Sequence, residues 1–98
     1  MDFIATKLEA IAGRGDGDFV ASHDLEDVVA VIDGRVEIAD ELRAHDDRAV
    51  VAFISSTLSA FLNDEAFVDA IPGFLLPDPA SQARAPELLR RLRTLGEQ

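Results

Sequence analysis

The sequence predicts an all-α fold, a compact bundle of five or six short helices forming a single helical domain over residues 1–98. Three observations predict it. Apolar residues recur at three- and four-residue intervals through most of the chain, the stretches they form end at Gly, Asn-Asp or Pro-Gly signals, and no pair of alternating strands flanks a hairpin turn. A chain of this length holds one core, burying about two thirds of its unfolded surface, and has no room for a deep cleft between domains.

Residues 3–12, FIATKLEAIA, put Ile4, Leu8 and Ile11 on one face, and Gly13 is the expected stop. Residues 13–21 hold three glycines and two aspartates and read as a loop, after which Ser22 is placed to cap a second helix with Asp24 in its first turn. In that helix Leu25, Val28, Val29 and Ile32 form one stripe, and Asp33-Gly34 ends it. VVAVI at 28–32 also suits a buried strand, but the acidic first turn, the helical spacing and the terminal glycine favour a helix.

Residues 36–44 alternate Val36, Ile38, Ala39 and Leu42 with Glu37, Asp40, Glu41 and Arg43, which predicts a short surface helix ending near His45-Asp46-Asp47. From 48 to 62 apolar residues cover most of the circumference, with Val51, Ile54, Leu58 and Leu62 as the main row, so this helix belongs at the centre. Asn63-Asp64 breaks and caps before a short helix with Phe67, Val68 and Ile71, and Pro72-Gly73 is the expected stop. FLLPDP crosses to a final helix carrying Leu88, Leu89, Leu92 and Leu95, where Pro86 suits the first turn and Arg84, Arg90, Arg91 and Arg93 supply four of the nine basic residues.

Nineteen acidic residues against nine basic ones give a formal charge of −10, which repels nucleic-acid phosphates and suits a cation or a basic partner surface. Cysteine is absent, which excludes disulfide frameworks, thiolate metal sites and thiol nucleophiles. No signal-peptide pattern and no apolar run of membrane-spanning length is present, so the expected location is cytoplasmic and no membrane partner is expected.

Chemistry-bearing residues concentrate in KLEAIAGRGDGDFVASHDLED, residues 7–27. Asp16 and Asp18 form a D-x-D pair able to hold a hard cation, yet the EF-hand pattern fails at Val20 and Ala21, and a Gly/Asp-rich turn explains the pair without metal. Lys7 and Arg14 lie seven apart along one helix edge, where two cations can meet phosphates or simply remain solvated. Asp24 and Asp27 share a face, to bind a cation, orient a basic side chain or complement a helix N-terminus. His23 and His45 have no zinc-site spacing, Arg14-Gly15-Asp16 is too short a match to carry weight, and no serine lies in a nucleophile motif. The serines of 55–59 read as helix-packing or back-bonded residues.

Taken together, Lys7-Leu8-x-Ala10-x-x-x-Arg14, a glycine-rich loop and then SHDLEDVV with Asp24 and Asp27 resemble the later motifs of AbiEii-type nucleotidyltransferases over residues 3 to 35. The resemblance implies that Lys7 contacts nucleotide phosphate with Arg14 in support, and that Asp24 and Asp27 correspond to the family's last acidic motif. In that family magnesium is held mainly by an earlier G-S and D-x-D element on a β-sheet. Nothing in this chain matches that element, and Asp16 and Asp18 follow the lysine motif instead of preceding it.

Nucleotidyl transfer depends on metal positioning and charge stabilisation, so no catalytic residue is assigned and no cofactor is required of the isolated chain. Magnesium and a nucleotide are expected only where another chain completes the site. The expectation is a helical module, catalytically incompetent alone, that acts through self-association or a partner protein. Two alternatives stand beside it: a nucleotide- and magnesium-binding enzyme when dimeric or completed, and an acidic antitoxin-like interaction module.

Overall fold

The structure, a computed structural model, describes residues 2–14 and 23–98. Helix α1 (Asp2–Arg14) buries Ile4, Leu8 and Ile11, the three positions its spacing selects. It runs through Gly13 to Arg14, because one glycine near a helix end costs only about 1 kcal/mol against alanine and does not compel a stop. The expected loop lies outside the described residues from position 15 onward, as does the expected cap at Ser22.

Helix α2 (His23–Gly34) buries Leu25, Val28, Val29 and Ile32, so the β-branched run is helical. Here one apolar stripe packing on α1 outweighs β-propensity, a weak preference that tertiary context readily overrides. Helix α3 (Ile38–Ala44) begins two residues later than its pattern suggests, since the Ile38 amide donates to the Arg35 carbonyl at 3.2 Å and so closes a turn over residues 35–38. Asp47 caps α4 (Arg48–Leu62) by accepting from the amides of Ala49 at 3.0 Å and Val50 at 3.3 Å.

Asp64 caps α5 (Glu65–Ala70) through the Ala66 amide at 2.9 Å. At Pro72-Gly73 the chain does not leave its helical course but tightens into a 3-10 turn over Ile71–Phe74, with the proline in the first turn, where its missing N–H costs nothing. FLLPDP leads into a single helical turn, α6 (Pro79–Gln82), capped by Asp78 and opened by Pro79. Aspartate followed by proline is an N-cap and first-turn signature, legible in the sequence yet read there only as a crossing. Helix α7 (Ala85–Gly96) carries Pro86 in its first turn and buries Leu88, Leu92 and Leu95.

Among the described residues there are thus six helices longer than one turn and no strand, an all-α bundle. Helix α4 is its axis, packed by α7 on one side and α1 on another, while α2 joins α1 and α7. Every helix longer than one turn contributes to one buried cluster, with Leu62 and Leu89 half-buried at its margin and the Phe61 and Phe67 rings 5.4 Å apart. A radius of gyration of 12.7 Å matches the about 13 Å of a well-packed chain this long. Ser55 is buried in α4 and Ser56 donates to the Phe53 carbonyl, the packing and back-bonding roles expected of them.

Candidate functional site at the α1–α2 seam

The apolar stripes of α1 and α2 face each other, so residues just outside each stripe meet along the seam. Lys7 borders the α1 stripe, one residue before Leu8, and Asp24 borders the α2 stripe, one before Leu25. Lys7 Nζ lies 3.1 Å from Asp24 Oδ1 and 3.1 Å from Asp27 Oδ2. It also stands 5.6 Å from the centroid of the half-exposed Phe3 ring, within cation–π range. The two carboxylates hold the ammonium pKa above its ordinary 10.5, first through the Asp27 contact and then through Asp24, against a smaller desolvation effect.

Three of the four residues expected to face a nucleotide are therefore brought together, but they face one another. One ammonium against two carboxylates leaves the cluster at −1, and a phosphate approaching Lys7 has to displace both partners. Lys7 is the only lysine in the sequence. Arg14 ends α1 about two turns beyond Lys7, and Asp16 and Asp18 lie outside the described residues. Among the described residues no group of three or more metal-ligating side chains gathers, and no helix is long and apolar enough to cross a membrane.

The two histidines have separate local partners. His23 is solvent-exposed with Nδ1 3.7 Å from Glu26, and His45 Nδ1 accepts from the Asp47 amide at 3.1 Å, which helps close the α3–α4 turn. Arg48 donates to the carbonyls of Arg43 and His45 at the same turn.

Sequence reading missed two arrangements. At the C-terminal end of α2, Arg91 from α7 donates to the carbonyls of Ile32 at 2.8 Å and Asp33 at 3.0 Å, while Arg84 pairs with the Asp33 carboxylate at 2.9 Å. A cation at a helix C-terminus satisfies orphan carbonyls and complements the dipole, but α2 has no basic residue in its own last turn, so the cation comes from a helix far along the chain.

The second arrangement is a recess of about 230 Å³ between the ends of α4 and α7, lined by Ser59, Leu62, Asn63, Arg93, Gly96 and Glu97. Its signal was two pairs at i,i+4 spacing on different helices, Ser59 with Asn63 and Arg93 with Glu97, whose proximity only the tertiary fold creates. A second hollow, about 350 Å³ beside the α2–α3 turn, is lined by Arg35, Val36, Glu37 and Glu41, and its cation is already paired with Glu41 at 2.5 Å. Comparison with protein-family models, curated proteins and solved structures finds no match to this chain.

Proposed function

We propose that this chain is a helical interaction module, resembling the C-terminal part of AbiEii-type nucleotidyltransferases, that performs no catalysis by itself and acts by binding a partner protein or a second copy of itself. The observation that carries this reading is the engagement of Lys7 by Asp24 and Asp27, which turns the expected phosphate contact into a brace between two helices. A basic partner surface fits better than a second copy. Two chains at −10 each repel, and the large exposed apolar residues among those described, Phe3, Val36 and Leu76, lie on three separate segments, as single surface hydrophobes commonly do.

Calorimetric titration with magnesium and ATP tests the non-catalytic reading directly. The expected result is no heat of binding; heat that disappears in Lys7→Ala would establish a nucleotide site instead. Light scattering after size exclusion separates the two modes of association. A particle of one chain mass at high concentration points to the basic partner, and a dimer that strengthens with added salt points to self-association once repulsion is screened.

A further inference from the structure

We propose that the recess between the ends of α4 and α7 binds a free α-amino acid with an apolar side chain, holding both of its charges. Among the described lysine and arginine side chains, all but Arg93 are committed to a carboxylate or a main-chain carbonyl. Arg93 has no such partner among the described residues, although Glu97 stands four residues on, at ion-pairing distance in sequence. The order is the unfavourable one, with the cation N-terminal to the anion, and Glu97 sits just past the last helical residue, so the pair stays open. An unclosed cation and anion lining one hollow is the charge pattern of a zwitterion's two ends.

The rest of the lining agrees. Arg93 offers paired N–H donors to a carboxylate, and the Asn63 amide and Ser59 hydroxyl beside it add donors. Helices α4 and α7 both end here, at Leu62 and Gly96, so the partial negative charge of two helix C-termini joins Glu97 in favouring an ammonium group. Half-buried Leu62 supplies an apolar wall. Gly96 lets the ends of α4 and α7 approach closely enough to share one lining, since a Cβ there would stand 3.3 Å from the Ser59 amide and 3.6 Å from Leu62 Cδ1.

Size and charge narrow the ligand further. At about 230 Å³ the recess is smaller than the roughly 300 Å³ lower bound for drug-sized ligands, which suits a molecule of amino-acid size. A simple carboxylate would be repelled by a chain of −10, whereas a zwitterion carries no net charge.

The test is a titration of the ¹⁵N-labelled full chain with L-leucine, followed by amide chemical shifts, with 4-methylpentanoate and 3-methylbutylamine as analogues that each lack one charge. The expected result is saturable shifts centred on Ser59, Asn63, Gly96 and Glu97 with leucine, and markedly weaker ones with either analogue. Arg93→Gln and Glu97→Gln each weaken leucine binding about tenfold or more, the loss expected for a charge-assisted contact, while Arg90→Gln leaves it unchanged. Both test positions are at the surface, and the dispersion of the remaining resonances reports that the variants are folded. Absence of saturable shifts, equal shifts from an analogue, or leucine binding unaltered in both variants would overturn the proposal.

Discussion

Lys7 and Asp24, seventeen residues apart in sequence, meet at 3.1 Å across the α1–α2 seam with only 28% and 18% of their side chains exposed. Asp27, the second partner, is 53% exposed. Asp27 raises the Lys7 pKa more than Asp24 does, but its greater exposure lets solvent screen that contact more. Asp24 alone of the two lies in the first turn of α2, where a carboxylate also complements the helix dipole, so the more buried pair governs stability. Asp24→Asn is therefore expected to lower the melting temperature more than Asp27→Asn. A double-mutant cycle with Lys7→Met is expected to assign the larger coupling to Asp24, and the reverse ranking would refute this account of the brace.

The same brace sets a pH dependence. The carboxylates raise the Lys7 pKa above 10.5, so the folded chain keeps that proton at pH values where the unfolded chain releases it. The resulting stability is complete below the unfolded value and is lost as pH rises through the higher folded value. The stability gap between wild type and Lys7→Met, measured by denaturant titration, is expected to be flat from neutral pH to the approach to 10.5 and to close above it. It should also narrow with salt. A gap that closes near neutrality would assign the effect to another group.

Removing the cation from the C-terminal end of α2 has a predictable cost. Arg91 is 14% exposed and serves two carbonyls, so Arg91→Met, which keeps the aliphatic stem, is expected to cost about 1.5–3 kcal/mol by urea denaturation. Arg84 is 51% exposed and binds the Asp33 side chain instead of the backbone, so Arg84→Met should cost clearly less. Hydrogen exchange gives the local readout, with faster exchange expected in the last turn of α2 for the Arg91 variant.

Two glycines at helix ends should respond to alanine with opposite signs. At Gly34 a Cβ meets nothing within 4 Å, so Gly34→Ala is expected to stabilise by about 0.4–1 kcal/mol through the unfolded chain's lost freedom. At Gly96 it would press on the Ser59 backbone at 3.3 Å, an atom that cannot rotate away, and α4 and α7 have to shift apart. Gly96→Ala is expected to cost about 1 kcal/mol despite its better helix propensity. Thermal unfolding of the two variants side by side decides the point.

The helices were legible because their apolar stripes are regular: Leu25, Val28, Val29 and Ile32 are all buried at the positions their spacing selects. Their ends were less so. Helix α1 continues through Gly13 and α5 passes into a 3-10 turn across Pro72, because both residues are compatible with helical backbone near an end. The meeting of Lys7 with Asp24 and Asp27 follows from stripes that face each other, but sequence could not distinguish carboxylates that neutralise the lysine from carboxylates that flank a ligand beside it. The roles of Arg91 and Arg93 were hidden for another reason, since each depends on which helix end α7 lies against.

The Arg91 contact spans 59 residues of chain to reach Ile32. On a ribosome, α2 would thus be made early, its Ile32 carbonyl held only by the local Arg35 amide, and would lack a cation at its C-terminal end until Arg91 of α7 had followed it out. Local helices can form within microseconds, but closure of this loop belongs among the last steps, so the bundle should assemble as a unit and not helix by helix. The arginine then acts as a completion signal, fastening the second helix only when the seventh has arrived.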